Sequence, residues 1–236
     1  MSKVHMSKNS GRMLNTKNKP VRSFLARGLI FVFCLFGYLP SLNAHPHVWI
    51  EVRNAITFDE AQRIVSIEVY WRFDEFYSAF AIQGLDTNDD GKYSPDELTV
   101  LLNDNLTEMA KTNYYTQTLV DGKPQSYTEA ASPQVSFEDG LLNMSFSLVL
   151  TTPVQAVGAK INVSTFDPSY YIALDLAQQL PASLIGEKSN KCQFSIKRPE
   201  QSEPVNLDDS IATTNTELAR SYALQFTSQI LIKCDP

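Results

Sequence analysis

Acidic residues are missing from the first 44 positions of this 236-residue chain, which hold seven of its 20 basic residues. The segment also lacks a long apolar run: its longest, Gly28–Leu39, has 12 residues, whereas a membrane-spanning helix needs roughly 20. Pro40 and a short segment ending in Ala44 follow this run. We therefore expect residues 1–44 to be a cleavable signal peptide. An uncleaved membrane anchor is the alternative.

Cysteine and histidine are scarce, with three of each. After cleavage two of each would remain: Cys192, Cys234, His45 and His47. An even cysteine count in an exported protein predicts a disulfide, with a thiolate pair for a soft metal as the alternative. Both histidines lie at the expected new terminus, and the chain has no nucleophile elbow, glycine-rich phosphate loop or His-Glu-x-x-His stretch. We therefore predict that the protein is not an enzyme.

The 192 residues left after cleavage carry 13 basic and 26 acidic side chains, a net charge of −13. Such a surface repels nucleic acid and anionic membrane surfaces and attracts cations. This length is enough for one domain, or for one domain with an insertion. We therefore expect residues 45–236 to form a single exported domain that binds cations and neither nucleic acid nor an anionic membrane surface.

Alternation of apolar and polar residues predicts β-strands along most of this domain. The segments 47–56 and 63–73, joined by a short polar turn, predict an antiparallel hairpin, and turn residues separate further strands downstream. Residues 74–114 have helical character, and Pro95 favours the start of a helix. We expect an α+β fold that is β-rich, with sandwich-like antiparallel sheets interrupted by a helix–loop–helix insertion at 74–114.

Residues 86–97 match the EF-hand template for a calcium loop. Gly91 falls at position 6, where the chain must turn sharply, and Glu97 at position 12, which supplies a bidentate carboxylate. The other ligand positions are filled by Asp86, Asn88, Asp90, the backbone carbonyl of Lys92, and Ser94. Tyr93 departs from the usual aliphatic residue at position 8. The pattern predicts a Ca²⁺ cofactor, and because the loop is single we expect a structural site. An acidic solvated turn is the alternative.

The segment His45-Pro46-His47 would form the new amino terminus. Cleavage after Ala44 would give His45 a free α-amino group, and on an extended chain both imidazoles project to the same side. Imidazole nitrogen suits Zn, Ni and Cu. Pro46 has no N–H, so the usual amino-terminal copper–nickel chelate cannot form. A frayed terminus with two solvated histidines is the alternative.

Four segments together resemble a family of uncharacterised bacterial periplasmic proteins, described as the periplasmic component of a metal transport system. They are HPHVWI at 45–50, WRFDE at 71–75, the loop 86–97 and FDPSYY at 166–171. Members of that family accompany, or are fused to, NicO-type nickel/cobalt permeases, and some resemble a zinc-uptake component. The resemblance implies an inner-membrane permease as partner. This context supports a transition-metal site at His45 and His47, for which the carboxylates of Asp74, Glu75 and Asp167 are candidate additional ligands.

These observations lead to competing hypotheses. The first is a periplasmic metal-binding accessory protein that delivers or buffers Zn or Ni for an inner-membrane transporter and holds a structural Ca²⁺. The second is a calcium-stabilised periplasmic structural or interaction module without a transition-metal cargo. The third is a periplasmic enzyme that uses a metal at the terminus. Metal titration of the mature protein distinguishes them.

Overall fold

The first two strands alternate between buried apolar and exposed polar residues. The computed structural model describes residues 47–169, 171–186, 188–199, 221 and 223–235. Strand β1 is Val48–Phe58 and β2 is Arg63–Phe73. They pair antiparallel, with Ile50 opposite Phe73 and Thr57 opposite Ser66. The predicted hairpin is therefore confirmed.

Nine further strands complete two sheets among the described residues. They are β3 (Thr116–Val120), β4 (Lys123–Pro124), β5 (Ala131–Glu138), β6 (Leu141–Gln155), β7 (Ile161–Thr165), β8 (Ile172–Leu176), β9 (Ala182–Ile185), β10 (Cys192–Lys197) and β11 (Gln229–Cys234). The first sheet has the order β5-β6-β2-β1-β8, and β9 also pairs with β1. The second has the order β10-β11-β7-β3-β4.

One edge of the first sheet departs from the expected antiparallel pattern. Strands β8 and β9 lie one after the other along β1 and run parallel to it, with Val48 opposite Ile172 and Asn54 opposite Ala182. Parallel pairing needs a crossover rather than a hairpin. Here the chain crosses through β7 of the second sheet before it returns to the first. The predicted β-rich class is nevertheless confirmed, and the two sheets are mostly, though not wholly, antiparallel.

Two helices lie between β2 and β3, as the helical character of this segment predicts. Helix α1 is Glu75–Ala81 and α2 is Pro95–Ala110. Buried Ser78 fixes α1 to the first sheet, because its Oγ accepts a hydrogen bond from the backbone N–H of Leu142 at 2.9 Å. No helix within the described ranges is long and apolar enough to cross a membrane.

Both ends of α2 have local causes. The Ser94 hydroxyl oxygen caps the start by accepting a bond from the Glu97 N–H. The Glu97 carboxylate accepts a bond from the Ser94 N–H, which completes a capping box. After Ala110 the chain forms the 3₁₀ turn Asn113–Tyr115, whose three residues adopt φ of 55°, 54° and 51°. These left-handed conformations stop the helix. Two further 3₁₀ turns of the same length occur at Ser189–Lys191 and Leu224–Phe226.

The apolar core contains side chains from both sheets and from α2. Trp71 of β2 meets Phe146 of β6 edge to face, with ring centroids 5.6 Å apart. Leu98 of α2 and Ile230 of β11 are fully buried in the same cluster. Complete burial of one such aliphatic side chain contributes roughly 1.5–3 kcal/mol. All described residues fall within one compact unit, residues 44–236.

Candidate functional site

The loop between α1 and α2 folds around the carboxylate of Asp86. Its Oδ1 accepts a hydrogen bond from the Asp90 N–H at 3.1 Å, and its Oδ2 one from the Gly91 N–H at 2.9 Å. Asn88 Oδ1 also accepts from the Asp90 N–H at 2.9 Å, and Asp90 Oδ1 accepts from the Lys92 N–H at 2.8 Å. Gly91 has a φ of +75°, which side-chain-bearing residues rarely adopt. These hydrogen bonds fix the backbone conformation of the loop.

Glu97 ties the two ends of this loop together. Its Oε1 accepts bonds from the N–H and the Oγ1 hydroxyl of Thr87, both at 2.9 Å. Its Oε2 accepts bonds from the Ser94 N–H at 2.9 Å and the Ser94 hydroxyl at 2.8 Å. The bonds from Ser94, followed by those from Thr87, lower the pKa of the Glu97 carboxyl to about 2 because they favour its charged form. At neutral pH a negative charge therefore lies in the first turn of α2.

The loop offers the oxygen ligands that a hard cation such as Ca²⁺ prefers. Its carboxylates are not gathered around one point, however. Within the described ranges, no group of three or more His, Cys, Asp or Glu side chains is placed to hold a metal ion. Binding of Ca²⁺ would therefore require Asp86 and Glu97 to turn toward a shared centre while the loop backbone is kept.

Three of the candidate transition-metal residues lie at the same end of the first sheet, although their side chains do not form a group placed to hold a metal ion. His47 directly precedes β1, Asp74 directly follows β2, and Asp167 lies shortly before β8. Strand β1 lies between β2 and β8, and its antiparallel pairing with β2 places the end of β2 beside the start of β1. The His47 N–H donates to the Tyr171 carbonyl at 2.9 Å, and the two rings lie 4.7 Å apart.

Asp74 joins this sheet end to α1. Its Oδ2 accepts a bond from the Trp49 N–H and its Oδ1 one from the Tyr77 N–H, both at 2.9 Å. The second bond makes Asp74 the N-cap of α1. Glu75 is the exposed first residue of that helix.

Asp167 holds the turn that leads into β8. Its side chain is 6% exposed, and its Oδ2 accepts a bond from the Ile172 N–H at 3.0 Å. The Ser169 hydroxyl donates to both carboxylate oxygens at 2.8 Å, and the Ser169 N–H donates to Oδ1 at 2.9 Å. The structure thus brings His47, Asp74 and Asp167 to the same end of the sheet. His45 lies outside the described residues.

The predicted disulfide is confirmed. Cys192 and Cys234 are bonded, with an S–S distance of 2.02 Å, at directly opposite positions of β10 and β11. Gln62 lies beside the bridge, and its Nε2 donates to the Asp235 carbonyl at 3.0 Å. Because both sulfurs are used in this bond, they are not a thiolate pair for a soft metal.

The sequence matches a family over most of its length. The model of the family described as "Protein of unknown function (DUF1007)" matches residues 29–234. The chain belongs to this family. A relative from Haemophilus influenzae, described as an uncharacterized protein, is 22% identical over 217 residues, which cover 88% of this chain and 97% of the relative. Neither description supplies an activity, so chemistry has to be argued from the side chains.

This member of the DUF1007 family also has a cavity of about 510 Å³ on the outer face of its first sheet. Its lining includes Glu51, Arg53, Tyr70 and Arg72, which alternate outward along β1 and β2. Sequence reasoning missed this surface. Alternation shows which residues of each strand point outward, but only the strand register shows that they form one surface.

Proposed function

We propose that the protein is an exported metal-binding accessory protein that buffers or delivers Zn²⁺ or Ni²⁺ for an inner-membrane permease of the NicO type. We further propose that the loop 86–97 holds a structural Ca²⁺. One observation carries the transition-metal proposal. It is the placement of His47, Asp74 and Asp167 at the same end of the first sheet, where the expected mature chain begins.

His45 supplies the nitrogen donors that the described residues lack. It lies two positions before His47 in the sequence. The proposed ligand set includes its imidazole and the α-amine that cleavage after Ala44 would create. Together with His47 this gives three nitrogen donors, and carboxylate oxygens nearby complete a ligand set that suits Zn²⁺ or Ni²⁺.

Among the carboxylates, Asp74 is the better ligand candidate. Each carboxylate oxygen can accept about two bonds, and each oxygen of Asp74 accepts one from the protein. The buried Asp167 already accepts three: from the N–H groups of Ser169 and Ile172, and from the Ser169 hydroxyl, whose one proton is shared between the two oxygens. Glu75 is exposed beside Asp74. We therefore assign the oxygen ligand to Asp74 or Glu75 and a positioning role to Asp167, which fixes the entry into β8.

Three further observations support export, cation binding and a permease partner. The disulfide is a bond type that persists in oxidising compartments such as the periplasm. The net charge of −13 after residue 44 favours cations over anionic partners. The resemblance to permease-associated periplasmic proteins supports the choice of partner.

The test is a metal titration of the protein purified from the periplasm, with its amino terminus sequenced. We expect the purified chain to start at His45. Calorimetry should show that it binds one Zn²⁺ or Ni²⁺ per molecule. His45→Ala and His47→Ala should each weaken this binding at least about 10-fold, since one lost ligand leaves an incomplete shell. A chain that binds neither metal, or binds both equally well without the histidines, would contradict the proposal.

Two matched variants separate ligation from folding. Asp74→Asn keeps a residue that caps helices well but removes the carboxylate, so transition-metal affinity should fall. The melting temperature should fall slightly as well, because the amide nitrogen cannot accept the bond from the Trp49 N–H, and the titration is therefore done well below it. Glu97→Gln should weaken Ca²⁺ binding and leave Zn²⁺ or Ni²⁺ binding unchanged.

Delivery is then measured as metal uptake by cells that produce the NicO-type permease with either the wild type or His47→Ala.

The alternative is a calcium-stabilised structural or interaction module without a transition-metal cargo. It is favoured by the defined backbone of the loop 86–97 and by the negative charge of Glu97 at neutral pH. In this case Ca²⁺ would raise the melting temperature by linkage, and Zn²⁺ and Ni²⁺ would not bind. The same titration therefore decides between the two functions.

A further inference from the structure

The outer face of the first sheet carries polar side chains that the metal proposal does not use. Strand register aligns one row of them across β5, β6, β2 and β1: Ser136, Asn143, Arg72 and Glu51. The neighbouring row ends in Tyr70 and Arg53. Both rows line the cavity of about 510 Å³, a volume typical of small-molecule sites.

Arg72 brings a positive charge into this cavity. The acid directly opposite on β1, Glu51, is already bonded by Arg53, with 3.0 Å between Oε1 and Nη2. Arg72 is exposed, and within the described ranges its guanidinium has no hydrogen-bond or ion-pair partner. Its donors, which have the fork geometry that matches a carboxylate, are therefore available to a ligand.

Glu138 and Asp139 place negative charge on the other side of the cavity. They lie at the end of β5 and in the turn that follows, and both line the cavity and are exposed. No described basic side chain pairs with either of them. Strand β6 separates β5 from β2, so the backbones that carry the opposite charges are about 10 Å apart. Neutral Ser136 and Asn143 lie between.

This charge arrangement selects one class of ligand. A simple anion would meet Arg72 but be repelled by Glu138 and Asp139, and a neutral sugar would use neither charge. We propose that the cavity binds a short zwitterionic peptide, with its terminal carboxylate on Arg72 and its terminal ammonium at Glu138 and Asp139. A chain of about three residues spans the 10 Å between the two sides.

The groups between the charged sides suit a peptide backbone. The Nδ2 of Asn143 donates to the Leu141 carbonyl at 3.1 Å, and its Oδ1 can accept from a peptide N–H. The Ser136 hydroxyl can donate or accept. Tyr70, 40% exposed, offers an aromatic surface to a side chain.

Three peptides test the proposal by calorimetry on the full mature protein in EDTA, so that metal binding plays no part. They are tri-L-alanine, its N-acetyl derivative and its C-terminal amide. We expect saturable binding of tri-L-alanine, and at least about 10-fold weaker binding of each blocked peptide, because each lacks one charged hydrogen-bonding end. Equal affinity for all three peptides, or no saturable binding of tri-L-alanine, would overturn the proposal.

Variants assign the two ends separately. Arg72→Gln should weaken tri-L-alanine binding and remove the preference over the amide, but retain the preference over the N-acetyl form. The double variant Glu138→Gln/Asp139→Asn should show the reverse pattern. Lys233→Gln, an exposed basic residue on β11 of the other sheet, is the control and should bind like the wild type. Preferences that no variant changes would place the peptide elsewhere and refute this site.

Discussion

Glu97 stabilises a loop and a helix start with the same carboxylate. Its hydrogen bonds hold its pKa at about 2, against 4.5 for an ordinary glutamate. Because the pKa is lower in the folded protein, the stabilisation from its ionised form is complete above about pH 4.5. That stabilisation is lost as the pH falls from there through 2.

The pH dependence of unfolding checks this role of Glu97. We expect the unfolding free energy of the wild type, measured by denaturant titration in EDTA, to fall more steeply between pH 4.5 and 2 than that of Glu97→Gln. Asp104→Asn, an exposed change on the same helix, is the control and should keep the wild-type slope. Identical slopes for the wild type and Glu97→Gln would show that the hydrogen bonds of this carboxylate do not persist in solution.

Gly186 is held where a side chain does not fit. It follows β9 with a φ of +114°, and an added Cβ would lie 2.3 Å from the carbonyl oxygen of Phe58. Gly186→Ala should therefore lower the unfolding free energy by about 2 kcal/mol or more. Gly158→Ala, with a φ of +76° and nothing within 4 Å, should cost only about 1 kcal/mol. Equal losses of unfolding free energy in the two variants would mean that Gly186 does not pack closely against the carbonyl of Phe58.

Among the structural elements, the pair β10–β11 is the one with a covalent link. Its disulfide joins residues separated by 42 positions, which corresponds to about 4 kcal/mol of stabilisation in the chain-entropy model. Cys192→Ser/Cys234→Ser should lose about this amount in denaturant titrations. Reductant should destabilise the wild type to the same degree and leave the double variant unchanged. A wild type indifferent to reductant would contradict the expected contribution.

Elements with strong local signals could be predicted from the sequence. The hairpin β1–β2 follows from alternation, and the start of α2 follows from Ser94, Pro95 and Glu97. The end of α2 could not be predicted, because three consecutive left-handed residues carry no glycine to announce them. The apolar segment that includes β11 is compatible with helix or strand, and only its pairing with β10 and β7 decides for strand.

For the molecule as a whole, the sequence is less informative because its sites depend on contacts between distant segments. His47, Asp74 and Asp167 could be proposed as ligands from their chemistry, but their shared sheet end depends on the register of three strands. The two sides of the cavity, Arg72 and Glu138, lie on strands separated by a third. No local pattern carries that information, so the cavity emerges only from the complete sheet.

The position of β11 determines when the second sheet can form during synthesis. It is the last described strand in the chain, yet it lies inside the second sheet between β10 and β7. Synthesis proceeds from the amino terminus, so this sheet stays incomplete until residues 229–234 have emerged. Cys234 lies in this last strand, so one late event both completes the sheet and brings the second cysteine of the disulfide into place.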